Sequence, residues 1–278
     1  MKHIEDYFSG AGGKKIYYQG WLPKSKPKAI LMVVHGLAEH SGRYMNVVNH
    51  FVPLGYAVYA PDQIGHGKSE GPRTFVKNFD DFITTLEIFF DLIQKEQPGK
   101  PVFIVGHSMG GLISSYYLLD HQEQLAGAVI SGGMAQVPEY VTPVTVAASK
   151  VLSVLAPRLG MVGVTAEHIS QDKAVVDAYV NDPLVYTGKS TARLGAEMLK
   201  AMARVENEAA KIKLPILIVH GGEDKLVSPG DGQLLYDTVS SEAKTIRIYE
   251  GYYHEIFNEP GRDTVFADIE AWLKKHIK

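Results

Sequence analysis

Six short apolar runs alternate with segments of helical periodicity from about residue 28 to near the end of the chain. The runs cover residues 29–34, 56–60, 102–105, 126–131, 216–219 and 245–249. Nearly continuous apolar character suits strands that are buried on both faces, and the helical segments between them supply the crossovers that parallel strands need. The pattern therefore predicts a mostly parallel central sheet with helices on both faces.

Two of the intervening segments, 79–93 and 265–273, repeat apolar residues every three or four positions. This spacing predicts amphipathic helices that bury one face against the sheet. Near the start of the chain, the run 16–21 follows a glycine-containing turn at 10–13, which predicts an antiparallel hairpin at the sheet edge.

The alternation lapses between about residues 134 and 207, where helix-like pieces follow one another without the expected strand. We interpret this stretch as a helical cap inserted into the core. The chain then divides into a first part of the core at 1–133, the cap at 134–207 and a second part of the core at 208–278. Many residues of the predicted cap are apolar, so it could cover a lipophilic ligand or contact a lipid interface transiently.

Composition excludes several classes of function. The net charge is −3 and both signs are interspersed, so no basic face for nucleic acid is expected. The chain has no cysteine and no metal-ligand spacing such as H-E-x-x-H, and its Gly-Lys-Ser triplets lack the first glycine of a phosphate loop. We therefore expect no metal and no nucleotide.

The terminal and apolar segments give an expectation for location. The first residues are polar and do not resemble a secretory signal. The most apolar stretch, 143–164, is interrupted by Lys150 and Arg158, so no transmembrane segment is predicted. A cytoplasmic location is expected.

The pattern G-x-S-x-G occurs twice, around Ser69 and around Ser108. Ser108 directly follows the predicted strand 102–105 and opens a helical run, whereas Ser69 lies several residues beyond its strand and precedes a Gly-Pro pair. A sharp strand-to-helix turn holds a serine hydroxyl above the sheet at a helix N-terminus, and the flanking glycines allow close packing. This context predicts the α/β-hydrolase fold with Ser108 as nucleophile; the structural alternative is a serine in a turn without chemistry.

A serine nucleophile needs a base that a third group orients, and on this fold the chain order is Ser, Asp or Glu, then His. The end of the run 216–219 leads to Glu223 and Asp224, and the end of the run 245–249 leads to His254. We predict His254 as base and Asp224 as the acid, although spacing alone leaves Glu223 open. Asp224 could instead cap the helix after Pro229, and His254 could be a surface loop residue.

The oxyanion of an acyl-transfer intermediate needs two backbone donors, one from the residue after the nucleophile and one from the loop after the third strand. The first is Met109. The second lies within 35–38, where we predict the Leu37 N–H. Four histidines beside glycine turns are expected to be structural: His35, His66, His107 and His220.

Four segments carry a family resemblance: 35–44 (HGLAEHSGRY), 62–71 (DQIGHGKSEG), 106–110 (GHSMG) and 181–184 (NDPL). Together they resemble the monoacylglycerol lipase (lysophospholipase-like) family over nearly the whole chain, and the first and third are the most specific. The resemblance implies cofactor-free hydrolysis of glycerol monoesters of fatty acids under a lipophilic cap. It also implies that Glu39 and Arg43 lie near the polar glycerol end of the substrate. A solvated ion pair is the structural alternative for these two residues.

One position departs from the family pattern. Better-known animal members carry a second histidine three residues after the catalytic one, and this chain has Phe257 there. The resemblance therefore supports ester cleavage more strongly than glycerol recognition.

The sequence thus predicts a carboxylic-ester hydrolase that prefers monoacylglycerols or similar small lipid esters. A general carboxylesterase, a lysophospholipase, a carbon–carbon bond hydrolase and a cofactor-free haloperoxidase could use the same triad. The alternative from a different class is a hydrolase-like ligand receptor, which would turn over esters far more slowly than an enzyme.

Overall fold

A computed structural model describes residues 1–137 and 142–277. Eight of its strands form one sheet: β1 (Lys2–Ser9), β2 (Lys15–Leu22), β3 (Ala29–Val34), β4 (Tyr56–Pro61), β5 (Val102–His107), β6 (Gly127–Ser131), β9 (Ile216–Gly221) and β10 (Lys244–Tyr249). Their order across the sheet is β1-β2-β4-β3-β5-β6-β9-β10. A separate two-stranded sheet pairs β7 (Gly160–Val162) with β8 (Ser190–Thr191).

The six predicted runs all lie in the large sheet and pair in parallel with one another. The N-terminal hairpin β1–β2 is antiparallel and joins the sheet at one edge through β4. Because parallel strands end at the same edge, the loops after β3, β5, β6, β9 and β10 meet there. The predicted fold class is confirmed.

In the described residues, helices flank the sheet on both faces, and two more lie in the segment between β6 and β9. The flanking helices are α1 (Met45–Phe51), α2 (Asp80–Glu96), α3 (Met109–His121), α6 (Ala192–Glu208), α7 (Pro229–Thr238) and α8 (Arg262–His276), and the other two are α4 (Pro143–Leu155) and α5 (Lys173–Asn181). Apolar residues of α2, α3, α6 and α7 share one buried cluster with the sheet, and those of α1 and α8 share another. No helix of the described residues is long and apolar enough to cross a membrane.

The segment predicted as a cap runs between β6 and β9. It contains α4, β7, α5, β8 and most of α6, while residues 138–141 lie outside the described residues. Leu194 and Val205 of α6 are fully buried in the main core, so this helix packs on the sheet side of the segment. The division at 134–207 remains a prediction.

Candidate active site

Ser108 lies in the sharp turn between β5 and α3. Its φ of 55° and ψ of −121° are values that residues with a side chain rarely adopt. The main-chain N–H of Ser108 donates to the Ser131 carbonyl at the end of β6, 2.9 Å away. The surrounding packing offsets the strain of this turn, which fixes the serine at the N-terminus of α3.

Two glycines allow that turn to form. A Cβ on Gly106 would lie 2.5 Å from the Gly110 carbonyl oxygen, and a Cβ on Gly110 would lie 2.6 Å from the His35 carbonyl oxygen. Both clashes are with backbone, which cannot move aside as a flexible side chain can. The glycines of the motif are therefore required by the approach of α3 to β3 and β5.

Asp224 and His254 are joined at the edge where β9 and β10 end. His254 Nδ1 lies 2.6 Å from Asp224 Oδ2, and both side chains are buried. The other oxygen, Asp224 Oδ1, accepts the N–H groups of Leu226 at 2.8 Å and Val227 at 3.0 Å. The carboxylate is thus held in place from both sides.

The competing interpretations of these positions disagree with the geometry. Glu223 is exposed, and its main-chain N–H donates to the Tyr252 carbonyl. The helix after Pro229 is capped by Ser228, whose hydroxyl accepts from Gly230, so the capping interpretation of Asp224 is wrong. His254 is only 4% exposed, so the surface interpretation is wrong too.

The electrostatics of the pair favour a charged carboxylate. Burial raises the pKa of Asp224, but the adjacent imidazoles and the Val227 N–H outweigh burial and bring this pKa well below its usual value. Burial lowers the pKa of His254, but the Asp224 carboxylate outweighs burial and raises it above 6.5. The pair can therefore stabilise an imidazolium.

His254 lies over the turn that holds Ser108. Its ring centroid is 4.7 Å from that of His107, and a Cβ on Gly132 would lie 3.3 Å from its Nδ1. The contacts of the described residues include no hydrogen bond between Ser108 and His254. Such bonds are often long before substrate binds.

The loop after β3 passes directly beside Ser108. A Cβ on Gly36 would lie 3.2 Å from the Ser108 Cβ, which places Leu37 next to the nucleophile. The N–H groups of Leu37 and Met109 have no hydrogen-bond partner among the described residues. Two free donors beside a serine suit an oxyanion hole.

Glu39 and Arg43 belong to a buried network that supports this loop. Glu39 Oε1 accepts the Gly36 N–H at 2.6 Å and the Tyr44 hydroxyl at 2.8 Å, while Arg43 Nη1 donates to Glu39 Oε2 at 3.0 Å. Their side chains are only 5% and 9% exposed, so the solvated ion pair is wrong. The ion pair is structural support for the backbone next to Leu37.

Sequence reasoning missed Glu255, which completes that network. It binds Arg43 with both oxygens, at 2.6 and 2.8 Å, and it follows His254 directly in the chain. Asn258 donates to the same carboxylate at 2.8 Å. A carboxylate beside the predicted base was the available signal, but its partner is 212 residues away.

All four histidines predicted as structural contact the backbone, and the contact of His220 is with the Val227 carbonyl. His35 accepts from the Gln63 N–H at 2.8 Å, His66 contacts the Ile64 carbonyl at 3.0 Å and His107 contacts the Ser131 carbonyl at 3.2 Å. Burial lowers the pKa of all three, to about 4, 3 and 4 respectively, so they are neutral near pH 7. His220 differs because it also contacts Asp224.

Residues of the predicted cap attach to two of the catalytic loops. The Ile169 carbonyl accepts the Glu255 N–H at 2.7 Å, next to His254. Asp182 binds His40 at 2.9 Å, beyond the loop that carries Leu37. The second half of the predicted cap is thus tied to the catalytic loops.

Comparison with known proteins places this site in a family. A family model described as "Serine aminopeptidase, S33" matches residues 25–261. A monoacylglycerol lipase of Mycolicibacterium smegmatis is 36% identical over 273 residues, 98% of this chain and 98% of that protein. A monoglyceride lipase of Homo sapiens is 35% identical over 268 residues, 95% of this chain and 88% of that protein.

A solved structure agrees with these sequence matches. The crystal structure of a Paleococcus ferrophilus monoacylglycerol lipase has a TM-score of 0.84 and 30% identity, covering 94% of this chain and 99% of that one. The resemblance found in the sequence is confirmed. The chain belongs to the S33 family of α/β-hydrolases, and within it to the monoacylglycerol lipase group of carboxylic-ester hydrolases.

Proposed function

We propose that this chain cleaves monoacylglycerols to fatty acid and glycerol through an acyl-enzyme on Ser108. The observation that carries the proposal is the 2.6 Å contact between His254 and the fully engaged Asp224, close to a serine in a strained strand-to-helix turn. The names of the full-length relatives support monoacylglycerol as the substrate.

The acylation step follows from the roles of these side chains. His254 takes the hydroxyl proton of Ser108 as its oxygen attacks the ester carbonyl. Asp224 holds the imidazole in the tautomer that leaves Nε2 free to accept the proton, and it stabilises the imidazolium. The Leu37 and Met109 N–H groups stabilise the oxyanion, and His254 then protonates the departing glycerol oxygen.

Deacylation uses the same groups in reverse order. His254 removes a proton from water, which attacks the acyl-enzyme carbonyl and releases the fatty acid and the free serine. The raised pKa of His254 keeps the imidazolium stable enough to form in both steps.

The substrate's two ends require different surroundings. A lipophilic cap favours the acyl chain by about 0.8 kcal/mol for each buried methylene. Glu39 and Arg43 are predicted near the glycerol end, and their contacts favour a role in holding the oxyanion loop.

The proposal includes transient contact of the cap with lipid interfaces. Seven large apolar side chains between the start of α4 and the end of β7 are exposed: Val144, Val151, Val154, Leu155, Leu159, Met161 and Val162. So many exposed apolar side chains in one segment suit a lipid boundary. Sedimentation with phosphatidylcholine vesicles tests this contact, because Leu155→Asp should weaken co-sedimentation while Lys173→Asp on α5 should not.

The proposal also includes a cytoplasmic location, which fractionation of expressing cells tests.

A second candidate comes from the description of the family model, which names an aminopeptidase. The same triad can cleave amides, so the substrate series must include an aminoacyl amide. The same series separates monoacylglycerol lipase activity from a general carboxylesterase, a lysophospholipase and a slow receptor.

The test is a hydrolysis series on wild type and Ser108→Ala. Monoacylglycerols are compared with ethyl esters of matched acyl length, a lysophospholipid and an aminoacyl amide. The proposal expects the highest kcat/KM for monoacylglycerol and no turnover by the variant. Equal rates on ethyl esters would leave the esterase chemistry and remove the glycerol preference, whereas slow turnover of every ester favours a receptor.

A further inference from the structure

His220 lies at the end of β9, four residues before Asp224, and its side chain is fully buried. Its Nε2 lies 3.1 Å from Asp224 Oδ2 and 3.1 Å from the Val227 carbonyl oxygen. Both neighbours are acceptors, so the hydrogen must be on His220 Nε2. His220 therefore donates to the carboxylate that orients the base.

The surroundings of the other ring nitrogen agree with this hydrogen position. His220 Nδ1 is buried and has no hydrogen-bond partner among the described residues. A hydrogen on it would be an unsatisfied buried donor, which costs more free energy than an unsatisfied acceptor lone pair. Gly232 lies against this nitrogen, and a Cβ there would be 3.1 Å from it. His220 thus donates through Nε2, and the surroundings of Nδ1 offer nothing for a hydrogen there to bind.

The carboxylate of Asp224 then accepts four N–H groups. Its Oδ1 takes Leu226 and Val227, and its Oδ2 takes His220 and His254. Four donors match the acceptor capacity of an ionised carboxylate. Since His220 binds the same oxygen as His254, it controls the oxygen on which the base depends.

We propose that His220 is a positioning residue of the reaction, which holds Asp224 Oδ2 toward His254 and shares the charge of that oxygen. The proposal rests on the triad of the proposed function. It assigns a chemical role to a residue that its glycine-turn context would leave purely structural.

Two consequences follow from the shared oxygen. Without His220, Asp224 Oδ2 can rotate away from His254, so the base is less often oriented and kcat falls. In the molecules in which Asp224 Oδ2 still faces His254, this oxygen no longer shares its negative charge with His220. It then stabilises the His254 imidazolium more strongly and raises the pKa of His254 further.

Other charged groups also act on the pKa of His254, and none of them is altered by a substitution of His220. Besides Asp224, the carboxylates of Glu39 and Glu255 raise the pKa of His254. The ring of His107 faces it, and Arg43 neutralises both glutamates. None of these side chains contacts His220 among the described residues.

The experiment compares His220→Leu with His220→Gln. Leucine removes the donor, whereas the glutamine amide nitrogen is the same number of bonds from Cα as His220 Nε2 and can donate in its place. We expect kcat to fall about ten- to a hundredfold in the leucine variant, the effect of losing a hydrogen bond to a charged group, with KM little changed. Glutamine should restore most of kcat.

The pH profile separates positioning from packing. The acid limb of kcat/KM should move upward by roughly half a unit in the leucine variant and stay near wild type in the glutamine variant. His66→Leu removes an equally buried histidine that does not contact the triad, and its acid limb should not move. Equal losses in Leu and Gln variants with an unmoved limb would mean a packing role and overturn the proposal.

A measurement on the wild-type chain keeps the proposal testable if the leucine variant does not fold. Nitrogen-15 NMR of the labelled histidines in the active enzyme should show the His220 hydrogen on Nε2 and not on Nδ1. The opposite tautomer would overturn the proposal. If Ser108→Ala and Asp224→Asn are inactive but His220→Leu is fully active, the role of His220 alone is rejected. If Asp224→Asn is active, the proposed triad itself is rejected.

Discussion

Replacing Asp224 by asparagine tests the triad through the hydrogen bonds of one side chain. The carboxylate accepts N–H groups on both oxygens, whereas an amide has one acceptor oxygen and one donor nitrogen. Whichever way the amide is turned, its NH₂ group faces two donors that the carboxylate satisfied.

In the first orientation the NH₂ group faces His254. The imidazole must then accept at Nδ1 and carry its hydrogen on Nε2, which is the wrong tautomer for taking a proton from Ser108. The expected loss is about four orders of magnitude in kcat. This corresponds to about 5 kcal/mol of activation free energy at 1.36 kcal/mol for each factor of ten.

In the second orientation the NH₂ group faces the N–H groups of Leu226 and Val227. Each buried donor left without an acceptor costs about 1–3 kcal/mol of unfolding free energy.

Initial rates on a soluble ester give the catalytic effect, and urea unfolding gives the stability. Glu223→Gln is the matched control, because Glu223 is exposed, and it should retain wild-type values. An Asp224→Asn enzyme within tenfold of wild type in kcat and equal to it in stability would mean that Asp224 is not the acid of the triad.

Three further predictions use other parts of the site. Activity needs neutral His254, and Asp224 raises the pKa of His254, so the acid limb of kcat/KM should have its midpoint above pH 6.5. A midpoint below pH 6 in a pH-rate profile would contradict this. Leu37→Pro, which removes one oxyanion donor, should lower kcat about a hundred- to a thousandfold while Leu37→Ala keeps it, as steady-state kinetics can measure. Arg43→Met leaves Glu39 and Glu255 buried without a cation, so denaturant unfolding should show a loss of about 3–5 kcal/mol, and an unchanged stability would refute the buried network.

The fold was predictable because its signals are local. Five of the six parallel strands are buried on both faces, so each reads as a short apolar run, whereas the edge strand β10 is partly exposed. The turn at Ser108 needs glycines that can be seen in the motif. The order of Ser108, Asp224 and His254 follows from the topology of the sheet, which brings their loops to one edge.

What the sequence could not predict depends on contacts between distant segments. The ion pair of Arg43 with Glu255 spans 212 residues, and no local pattern marks it. Glu39 and Arg43 have the spacing of an exposed ion pair, and only the packing of the chain shows that they are buried. Helix α6 lies within the predicted cap by position, but its apolar face packs on the core.

The role of His220 was hidden for another reason. It is four residues from Asp224, yet the two side chains meet only because the chain turns back after β9. The Asp224 side chain itself stabilises this turn by accepting the N–H groups of Leu226 and Val227, and the sequence alone does not show that turn.

The proposed reaction passes through a covalent acyl intermediate on Ser108. Wild type and Ser108→Ala are mixed with a slowly deacylating aryl ester, quenched in acid and digested, and the peptides are analysed by mass spectrometry. We expect one added acyl group on the peptide that contains Ser108 in wild type, and none on any peptide of the variant. An acyl group on another residue, or ester turnover by Ser108→Ala at the wild-type rate, would contradict it.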